Sequence, residues 1–349
     1  MNKRETLLHM VKMGEINPKR ALNMLKCWLS FKFRSPKLAG LPFAIMIEPT
    51  NFCNLKCPLC PTGNGSLAVP RGYMSLENFK KIIDEIGDTL VHIALWNFGE
   101  SLLNKDVYEM IKYAKQKKIF IRISTNGLFF GPAPNVEENL ERLLSSNLDD
   151  FIFAIDGASQ ETYEKYRVGG NLKKIFEHVK KAVEIKRKIG SKTFIEIQMI
   201  VMKHNEHELN KMEEIAKEIG VDKLTFKTVS FQVDKSGKVE QRFDVFLPSN
   251  EAYSRYKKIE DKVIRKDDAL NECERTWYST VINWDGDVTA CCFDPNREYN
   301  LGNVFKDGGF KAVWNNQKYV NFRKRILTDK QSIPMCKNCA GKLSPLNLN

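Results

Sequence analysis

Short β-rich runs alternate with longer amphipathic stretches between residue 44 and about residue 228. The runs are rich in Ile, Phe and Val and are bounded by Gly, Asn, Asp or Pro, a pattern that is typical of strands. Six strands are predicted, at residues 43–49, 91–98, 119–125, 150–156, 193–201 and 222–229. A helix-like segment follows each of them, so the chain is predicted to repeat a strand-then-helix unit.

The segments between these strands are predicted to be helices with one apolar face. One helix is expected to begin after Ser75, a favourable N-cap, and to place four apolar side chains on one side, namely Phe79, Ile82, Ile83 and Ile86. Further helices are predicted at residues 104–118, 136–147, 171–189 and 206–219. Gly190 and Gly220 occupy the positions where helix C-caps are expected.

Repeated strand-then-helix units predict an α/β fold, with a parallel sheet that curls into a full or partial barrel. In such folds the chemistry gathers at the carboxyl ends of the strands, the mouth of the barrel. Residues 230–272 are polar and helix-prone and form a connector. Beyond them a smaller unit is predicted, with a hairpin that turns at Asp285-Gly286, the segment 301–304 and a helix at 310–327.

Residues 18–34 form a separate basic and amphipathic helix. Its apolar face carries Leu22, Leu25, Trp28 and Leu29, and its basic residues are Lys19, Arg20, Lys26, Lys32 and Arg34. Two interpretations remain open for this helix. It lies on a membrane surface, or its apolar face packs across the barrel.

Composition limits the class of protein. The chain has 349 residues, of which 42% are hydrophobic and 28% are charged, as expected of a globular protein with a sizeable core. It has no long apolar run and no signal-peptide pattern, so we expect a cytoplasmic protein without a membrane span. The net charge of +12 is explained most simply by a Lys-rich surface, and no nucleic-acid partner is expected.

The nine cysteines are grouped along the chain. Three lie within residues 53–60, five lie between residues 273 and 339, and Cys27 stands alone as an expected core thiol. A reducing cytoplasm disfavours disulfides, so the two groups indicate metal sites.

The stretch "CNLKCPLC" places three thiols on one loop after the first predicted strand. A tetrahedral zinc site takes four ligands, and no histidine lies near this loop. Thiolates at such short spacings are typical of iron–sulfur clusters. Three thiolates on a four-iron cube would leave one iron open to a substrate or cofactor.

This CxxxCxxC spacing after a first strand resembles the radical S-adenosylmethionine enzymes. The resemblance implies a partial (β/α)6 TIM-like barrel at residues 43–229 and a 4Fe–4S cluster on Cys53, Cys57 and Cys60. It also implies that S-adenosylmethionine binds the open iron and yields a 5′-deoxyadenosyl radical, which abstracts hydrogen from the substrate. A reductant of the flavodoxin or ferredoxin type is implied as a partner.

Further matches to that family follow the next strands, in "NFGES" (97–101), "STNG" (124–127) and "AIDG" (154–157). The resemblance implies contacts to S-adenosylmethionine from Phe52, Gly99, Glu100, Ser124, Asn126 and Asp156. Taken singly, Glu100, Asn126 and Asp156 are more typical of caps and turns than of ligands, and Phe52 is equally suited to core packing. Their repetition at successive strand ends favours the functional interpretation.

The late cysteines resemble the SPASM or shorter twitch extension of the same family. The resemblance implies an auxiliary 4Fe–4S cluster on Cys273, Cys291, Cys336 and Cys339, and a four-thiol zinc module is the alternative. Adjacent strand residues point to opposite faces, so Cys291 is predicted as the ligand and Cys292 is left outside the cluster. Cys292 is then either a buried small hydrophobe or a hydrogen-atom donor to a substrate radical.

The expected organisation is a basic extension at 1–42, the barrel at 43–229, a connector at 230–272 and the auxiliary cluster domain at 273–349. The expected reaction is oxidation, by dehydrogenation, of a small alcohol or sugar-like molecule. Epimerisation or C–C or C–S coupling of a lipid or peptide is the alternative, with a non-catalytic iron–sulfur or zinc protein as another. Residues 18–34 are the predicted site of any peripheral membrane contact.

Overall fold

The strands follow the predicted order along the chain. The computed structural model describes residues 15–128, 135–230, 245–259, 262–266, 271–337 and 339. The strands in these ranges are β1 (Ala44–Ile47), β2 (His92–Ala94), β3 (Phe120–Thr125), β4 (Asp150–Ala154), β5 (Phe194–Val201), β6 (Lys223–Thr228), β7 (Tyr256–Ile259), β8 (Lys262–Arg265), β9 (Ser279–Ile282), β10 (Asp287–Thr289) and β11 (Asn300–Asn303).

Helices alternate with these strands. They are α1 (Pro18–Lys32), α2 (Leu76–Ile86), α3 (Val107–Gln116), α4 (Val136–Leu144), α5 (Gln160–Glu164), α6 (Leu172–Ile189), α7 (Leu209–Ile219), α8 (Arg275–Tyr278), α9 (Phe310–Trp314), α10 (Gln317–Asp329) and α11 (Pro334–Lys337). Short 3-10 turns occupy Ser101–Leu103, Glu206–Glu208, Glu251–Tyr253 and Lys330–Ser332. Within the described ranges, no helix combines the length and the hydropathy that a membrane crossing needs.

Strands β1 to β6 pair in chain order, and every pair is parallel. Helices return the chain between them, as a right-handed βα repeat requires. Side chains alternate along each strand, so Ile45 and Ile47 join the large core beneath the helices. Met46, between them, joins a separate cluster with Ala94 and Val281. The α/β fold with a partial TIM-like barrel is therefore confirmed.

The cap residues predicted from the sequence begin and end the helices of the structure as expected. The Ser75 side chain accepts a hydrogen bond from the backbone N–H of Asn78, and the four apolar residues predicted on α2 are buried. Gly190 and Gly220 end α6 and α7 with left-handed φ angles of 65° and 76°. Glycine adopts this conformation without the steric cost that a Cβ imposes.

Two predicted elements differ from the structure. The single helix expected at 310–327 is divided into α9 and α10, because the Asn316 side chain accepts the backbone N–H of Tyr319 and begins a new helix. The helix-prone connector at 230–272 contains an antiparallel hairpin, formed by β7 and β8, in its described part.

The C-terminal hairpin extends the barrel sheet. Strand β9 pairs in parallel with β1 over four residues, from Ala44 opposite Ser279 to Ile47 opposite Ile282. Strand β10 then pairs with β9 and β11 with β10, both antiparallel, after a turn at Gly286 with a φ of 90°. The sheet order is therefore β11-β10-β9-β1-β2-β3-β4-β5-β6.

Helix α1 packs across the base of the barrel, but with the opposite face to the one expected. Its buried residues are Arg20, Asn23, Cys27 and Ser30, whereas the predicted apolar face is exposed. Asn23 and Cys27 donate hydrogen bonds to the Leu41 carbonyl, just before β1. The expectation that the apolar face packs on the barrel is therefore wrong, because the barrel base presents carbonyl groups that need donors.

Arg20 makes the main polar connection between α1 and the barrel. Its guanidinium donates hydrogen bonds to the carbonyls of Glu15, Gly87, Lys117 and Lys118, at 2.5–3.0 Å. Three of these carbonyls belong to the turns that precede β2 and β3. Burial lowers the pKa of Arg20 from its ordinary value, and the charges of Glu15 and Asp88 act against this.

Replacing Arg20 by methionine should destabilise the protein strongly, since two buried and two partly buried hydrogen bonds to carbonyls lose their charged donor. We expect the free energy of unfolding in Arg20→Met to fall by about 3 kcal/mol or more. The matched control is Lys19→Met, which removes an exposed ion pair with Asp88 and should cost less than about 1 kcal/mol. Anaerobic urea unfolding followed by circular dichroism measures both, and equal losses would contradict the role given to Arg20.

Candidate functional site

The three-cysteine loop leaves the carboxyl end of β1 and borders a cavity. Cys57 is buried, whereas Cys53 and Cys60 are half-buried. The loop is held in place by backbone hydrogen bonds, one of which runs from the Lys56 N–H to the Val168 carbonyl. All three thiols line one cavity of about 200 Å³ at the mouth of the barrel.

Four of the sequence-predicted residues line the same cavity, namely Gly99, Glu100, Ser124 and Asn126. They come from the ends of β2 and β3, as expected for parallel strands whose carboxyl ends share one edge. Trp96, Asn97, Thr125, Ala154, Tyr166 and Arg167 also contribute to the lining.

Gly99 allows the loop after β2 to touch the start of the cysteine loop. Its φ is +89°, and a Cβ built there would lie 2.5 Å from the Thr50 carbonyl oxygen and 2.7 Å from that of Phe52. The neighbouring N–H of Glu100 donates to the same Phe52 carbonyl at 2.7 Å. A side chain at position 99 would therefore push the two loops apart.

Glu100 connects the loop after β2 to the end of β3. Its carboxylate is buried and accepts the backbone N–H groups of Asn126, at 2.8 Å, and of Leu102, at 3.2 Å. Burial raises the pKa of Glu100 to about 7. Asn126 in turn donates from its side chain to the Asn54 side-chain oxygen, at 2.7 Å, and so joins β3 to the cysteine loop.

Asp156 lies behind the cavity wall. It is fully buried, and its carboxylate accepts the Ile200 N–H and the Arg167 Nε–H, both at 2.6 Å. Arg167 reaches the cavity; burial raises the pKa of the Cys57 thiol, and the charge of Arg167 acts to lower it. Burial acts to lower the pKa of Arg167, but the charges of Asp156 and Cys57 outweigh it and raise that pKa.

Phe52 lies apart from the other predicted cofactor residues. It is 38% exposed and stacks on Tyr73, with ring centroids 5.0 Å apart. It is not among the residues that line the cavity. The structure therefore places four of the six predicted residues in the cavity wall, Asp156 behind that wall and Phe52 outside it.

Sequence reasoning missed Glu48 and Arg167. Glu48 follows β1 and is buried, and it accepts hydrogen bonds from the Asn97 side chain and the Phe98 N–H. Burial raises the pKa of Glu48 to about 7. The same signal that identified Glu100, a polar residue after an apolar strand, would have found Glu48. Arg167 lies in a connecting loop, where no such periodic signal exists.

The late cysteines are gathered around one buried arginine. Burial acts to lower the pKa of Arg275, but the thiols of Cys292, Cys291, Cys273 and Cys339 interact with it and raise that pKa.

Cys336 and Lys330 belong to the same group. Burial raises the pKa of Cys336, and the nearby thiols of Cys273 and Cys339 raise it further. The Lys330 ammonium donates to the Cys339 carbonyl at 2.7 Å. The four cysteines predicted to share a cluster are therefore neighbours.

The reasoning that separated Cys291 from Cys292 was wrong. Strand β10 ends at Thr289, so the two cysteines do not alternate across a strand, and interaction with the Cys292 thiol raises the pKa of Cys291. Cys292 also packs with Trp96 against the cluster of Met46, Ala94 and Val281 inside the barrel mouth. Cys292 thus lies between the late cysteines and the wall of the first cavity.

The donor sets suit iron–sulfur clusters better than a single ion. Among the described residues, no group of three His, Cys, Asp or Glu side chains is placed to hold a metal ion. Four zinc ligands must converge to about 2.3 Å from one centre, whereas a cube of irons accepts thiolates at its separate corners. Three thiols that share one cavity wall fit the second arrangement.

Comparisons with known proteins match both halves of the chain. The family described as the radical SAM superfamily matches residues 47–217, and the SPASM family, described as an iron–sulfur cluster-binding domain, matches residues 273–340. The mycofactocin maturase MftC of Mycolicibacterium smegmatis is 26% identical, over 85% of this chain and 75% of its own length.

Two further proteins are similar to this chain. The AdoMet-dependent heme synthase of Methanosarcina barkeri is 30% identical over 52% of this chain and 49% of its own. The crystal structure of Streptococcus suis SuiB bound to precursor peptide SuiA superposes with a TM-score of 0.61 and 14% identity, over 93% of this chain and 76% of that one.

Gly99→Ala should disturb the mouth beyond the ordinary cost of a left-handed residue. Gly65 is the matched control, because its φ is +79° and a Cβ placed on it would meet no atom within 4 Å. Gly65→Ala should cost about 1 kcal/mol, and Gly99→Ala should cost a further ~1–3 kcal/mol from overlap with the two carbonyls. Urea unfolding compares them, and the same loss in both variants would contradict the predicted close approach.

Proposed function

Because this chain belongs to the radical S-adenosylmethionine superfamily and carries a SPASM domain, we propose that its reaction takes place at the mouth described above. The enzyme uses S-adenosylmethionine and 4Fe–4S clusters. When bound, these groups supply a 5′-deoxyadenosyl radical that removes hydrogen from a substrate, and an acceptor for the electron that oxidation releases. The proposed domains are residues 43–229 for the barrel and 273–349 for the auxiliary cluster, with the extension at 1–42 and the connector at 230–272.

Cys53, Cys57 and Cys60 are the proposed ligands of the first cluster. Arg167 places a cation beside the Cys57 sulfur and is held there by Asp156, so it would stabilise the thiolate form of that ligand. Glu100 accepts a hydrogen bond from the Asn126 N–H. This bond fixes the end of β3 at the side of the cavity where S-adenosylmethionine is proposed to bind.

Cys273, Cys291, Cys336 and Cys339 are the proposed ligands of the auxiliary cluster. Arg275 and Lys330 lie among them and would offset the negative charge of four thiolates.

We further propose that the substrate is a small, hydroxyl-rich molecule that is dehydrogenated. The observation that carries this proposal is the polar interior of the barrel below the mouth, where Arg122 precedes the cavity residue Ser124 by two positions on β3. Arg122 forms ion pairs there with Asp150, at 2.5 Å, and Glu196, at 3.3 Å. Thr225 donates to Glu196, and burial lowers the pKa of the neighbouring Lys227. Such groups match hydroxyls rather than an acyl chain.

Epimerisation is the second candidate, and the position of Cys292 favours it. A thiol in the mouth can return a hydrogen atom, because its S–H bond breaks as the new C–H bond forms at the substrate carbon, leaving a thiyl radical on Cys292. The experiment below also includes peptide substrates and coupling reactions, because SuiB, which shares this fold, has been crystallised with a bound precursor peptide.

Removing Cys53, Cys57 and Cys60 should halve the iron content and abolish cleavage of S-adenosylmethionine. Anaerobically reconstituted protein should hold about eight irons per chain, and the Cys53→Ala/Cys57→Ala/Cys60→Ala variant about four. Dithionite-reduced protein should form 5′-deoxyadenosine from S-adenosylmethionine, and the triple variant should form none. Cys27→Ala, which changes a buried thiol distant from the mouth, is the control and should retain both properties. Unchanged iron in the triple variant would refute the ligand assignment.

Product analysis should separate dehydrogenation from epimerisation. Reduced enzyme with S-adenosylmethionine in D2O is offered a panel of monosaccharides, aminocyclitols and hydroxylated peptides. Dehydrogenation gives a product lighter by a pair of hydrogens, whereas epimerisation introduces one solvent deuterium from the exchanged thiol. In Cys292→Ala, dehydrogenation should persist and deuterium incorporation should be lost. If Cys292→Ala still incorporates deuterium, the donor role is excluded.

A further inference from the structure

The outward face of α1 is apolar and uncovered in the described structure. Leu22, Leu25, Trp28 and Leu29 are 37–54% exposed, and Phe33, just after the helix, is 77% exposed. We call these five residues the apolar stripe. Leu22, Leu25, Leu29 and Phe33 recur at spacings of three or four residues, with Trp28 beside Leu29, and so lie along one side of the helix. They make up more than half of the exposed large hydrophobic side chains among the described residues.

Folding alone does not account for this stripe. The inner face of α1 is polar because Arg20, Asn23 and Cys27 donate to carbonyls at the base of the barrel. The outer face has no such requirement and would be expected to carry charged or polar residues. A contiguous apolar surface on an otherwise polar protein marks a site of interaction.

The charged residues of the segment that carries the stripe are all basic. Residues 16–47 contain no Asp or Glu and six basic residues, Lys19, Arg20, Lys26, Lys32, Arg34 and Lys37. All of these except Arg20 are exposed, and Lys19 is paired with Asp88. The partner that fits this face must therefore offer an apolar layer bordered by negative charge.

We propose that α1 and Phe33 bind the surface of a lipid bilayer that contains anionic lipids. The helix lies parallel to the bilayer, with the apolar stripe among the upper acyl chains and the lysines at the phosphate level. Trp28 sits in the middle of the stripe, and tryptophan is favoured at this boundary because its ring is apolar while its N–H remains hydrated. A protein partner would not require the unbroken positive charge of residues 16–47.

The same geometry fixes how the enzyme faces the membrane. Arg20 contacts the turns before β2 and β3, whereas Cys53, Glu100 and Asn126 follow the opposite ends of the strands. Docking through α1 therefore directs the mouth away from the bilayer. A substrate would reach the mouth from the aqueous side, in agreement with the polar interior of the barrel.

Vesicle flotation of the full chain, with its clusters in place, tests this proposal. The protein should float with vesicles of phosphatidylcholine containing roughly one quarter phosphatidylglycerol, and about tenfold less with pure phosphatidylcholine. Brominated lipids should quench tryptophan fluorescence, and Trp28→Phe should float normally while losing that quenching.

Paired variants separate the contributions of the stripe and of its charges. Leu25→Ser/Trp28→Ser should bind about tenfold more weakly, whereas Val245→Ser, an equally exposed apolar residue elsewhere, should bind normally. Lys26→Gln/Lys32→Gln should lose anionic-vesicle binding, whereas Lys211→Gln/Lys217→Gln on the exposed face of α7 should retain it. All four variants should retain 5′-deoxyadenosine formation, so a failure of docking is distinguishable from a failure of the proposed function.

Three results would overturn the proposal. If vesicle binding is absent, or survives in Leu25→Ser/Trp28→Ser, the stripe does not meet a bilayer. If light scattering shows a dimer that Trp28→Ser dissociates, a second copy of the chain is the occupant. If acrylamide fails to quench Trp28 fluorescence in monomeric protein without vesicles, residues 1–14 of the same chain cover the stripe.

Discussion

The parallel pairing of β1 with β9 is the constraint on which the site depends. β1 has β2 on one side and β9 on the other, and the pairing extends past the strand because the Glu48 N–H donates to the Ile282 carbonyl. The first cysteine loop leaves β1, and Cys291 and Cys292 follow the hairpin that β9 begins. Both groups of thiols are therefore attached to neighbouring strands of one sheet. A shift of one residue between these strands would reverse the faces of their side chains, so the hydrogen-bond ladder fixes the two cysteine groups relative to each other.

The polar side chains at the mouth connect loops as well as line a cavity. Glu100 accepts hydrogen bonds from two backbone N–H groups. Asp156 accepts hydrogen bonds from the Arg167 side chain and the Ile200 N–H. Asn126 donates a hydrogen bond to the cysteine loop. Residues chosen from the sequence as cofactor contacts thus also satisfy backbone donors that burial would otherwise leave unpaired. These two roles are compatible, because a carboxylate that accepts backbone hydrogen bonds fixes the position of the loop whose amides and side chains face the cofactor.

Periodic patterns in the sequence made the strands and helix caps predictable. Contacts between distant segments could not be predicted in this way. Ser75, Gly190 and Gly220 act locally, so their capping roles could be read from the sequence. The strand positions followed from the alternation of apolar and polar residues for the same reason.

The pairing of β9 with β1 joins residues more than two hundred positions apart, and no local sequence pattern indicates it. Arg167 lies in a loop without periodicity, and Asp156 alone gave no indication that it would bind this arginine. The face of α1 was misjudged because hydropathy predicts burial of leucine and tryptophan, whereas the carbonyls at the base of the barrel required Arg20 and Asn23.

The acceptors that receive Arg20 are main-chain carbonyls, and every amino acid possesses one. This binding site at the base of the barrel therefore depends on the backbone path of the turns before β2 and β3, and hardly at all on which side chains those turns carry. Arg20, Asn23 and Cys27 attach the helix through such carbonyls, so the residues on its outer side can change without loss of these contacts. An ancestral barrel could acquire, lose or exchange a docking surface through a handful of substitutions in a single helix.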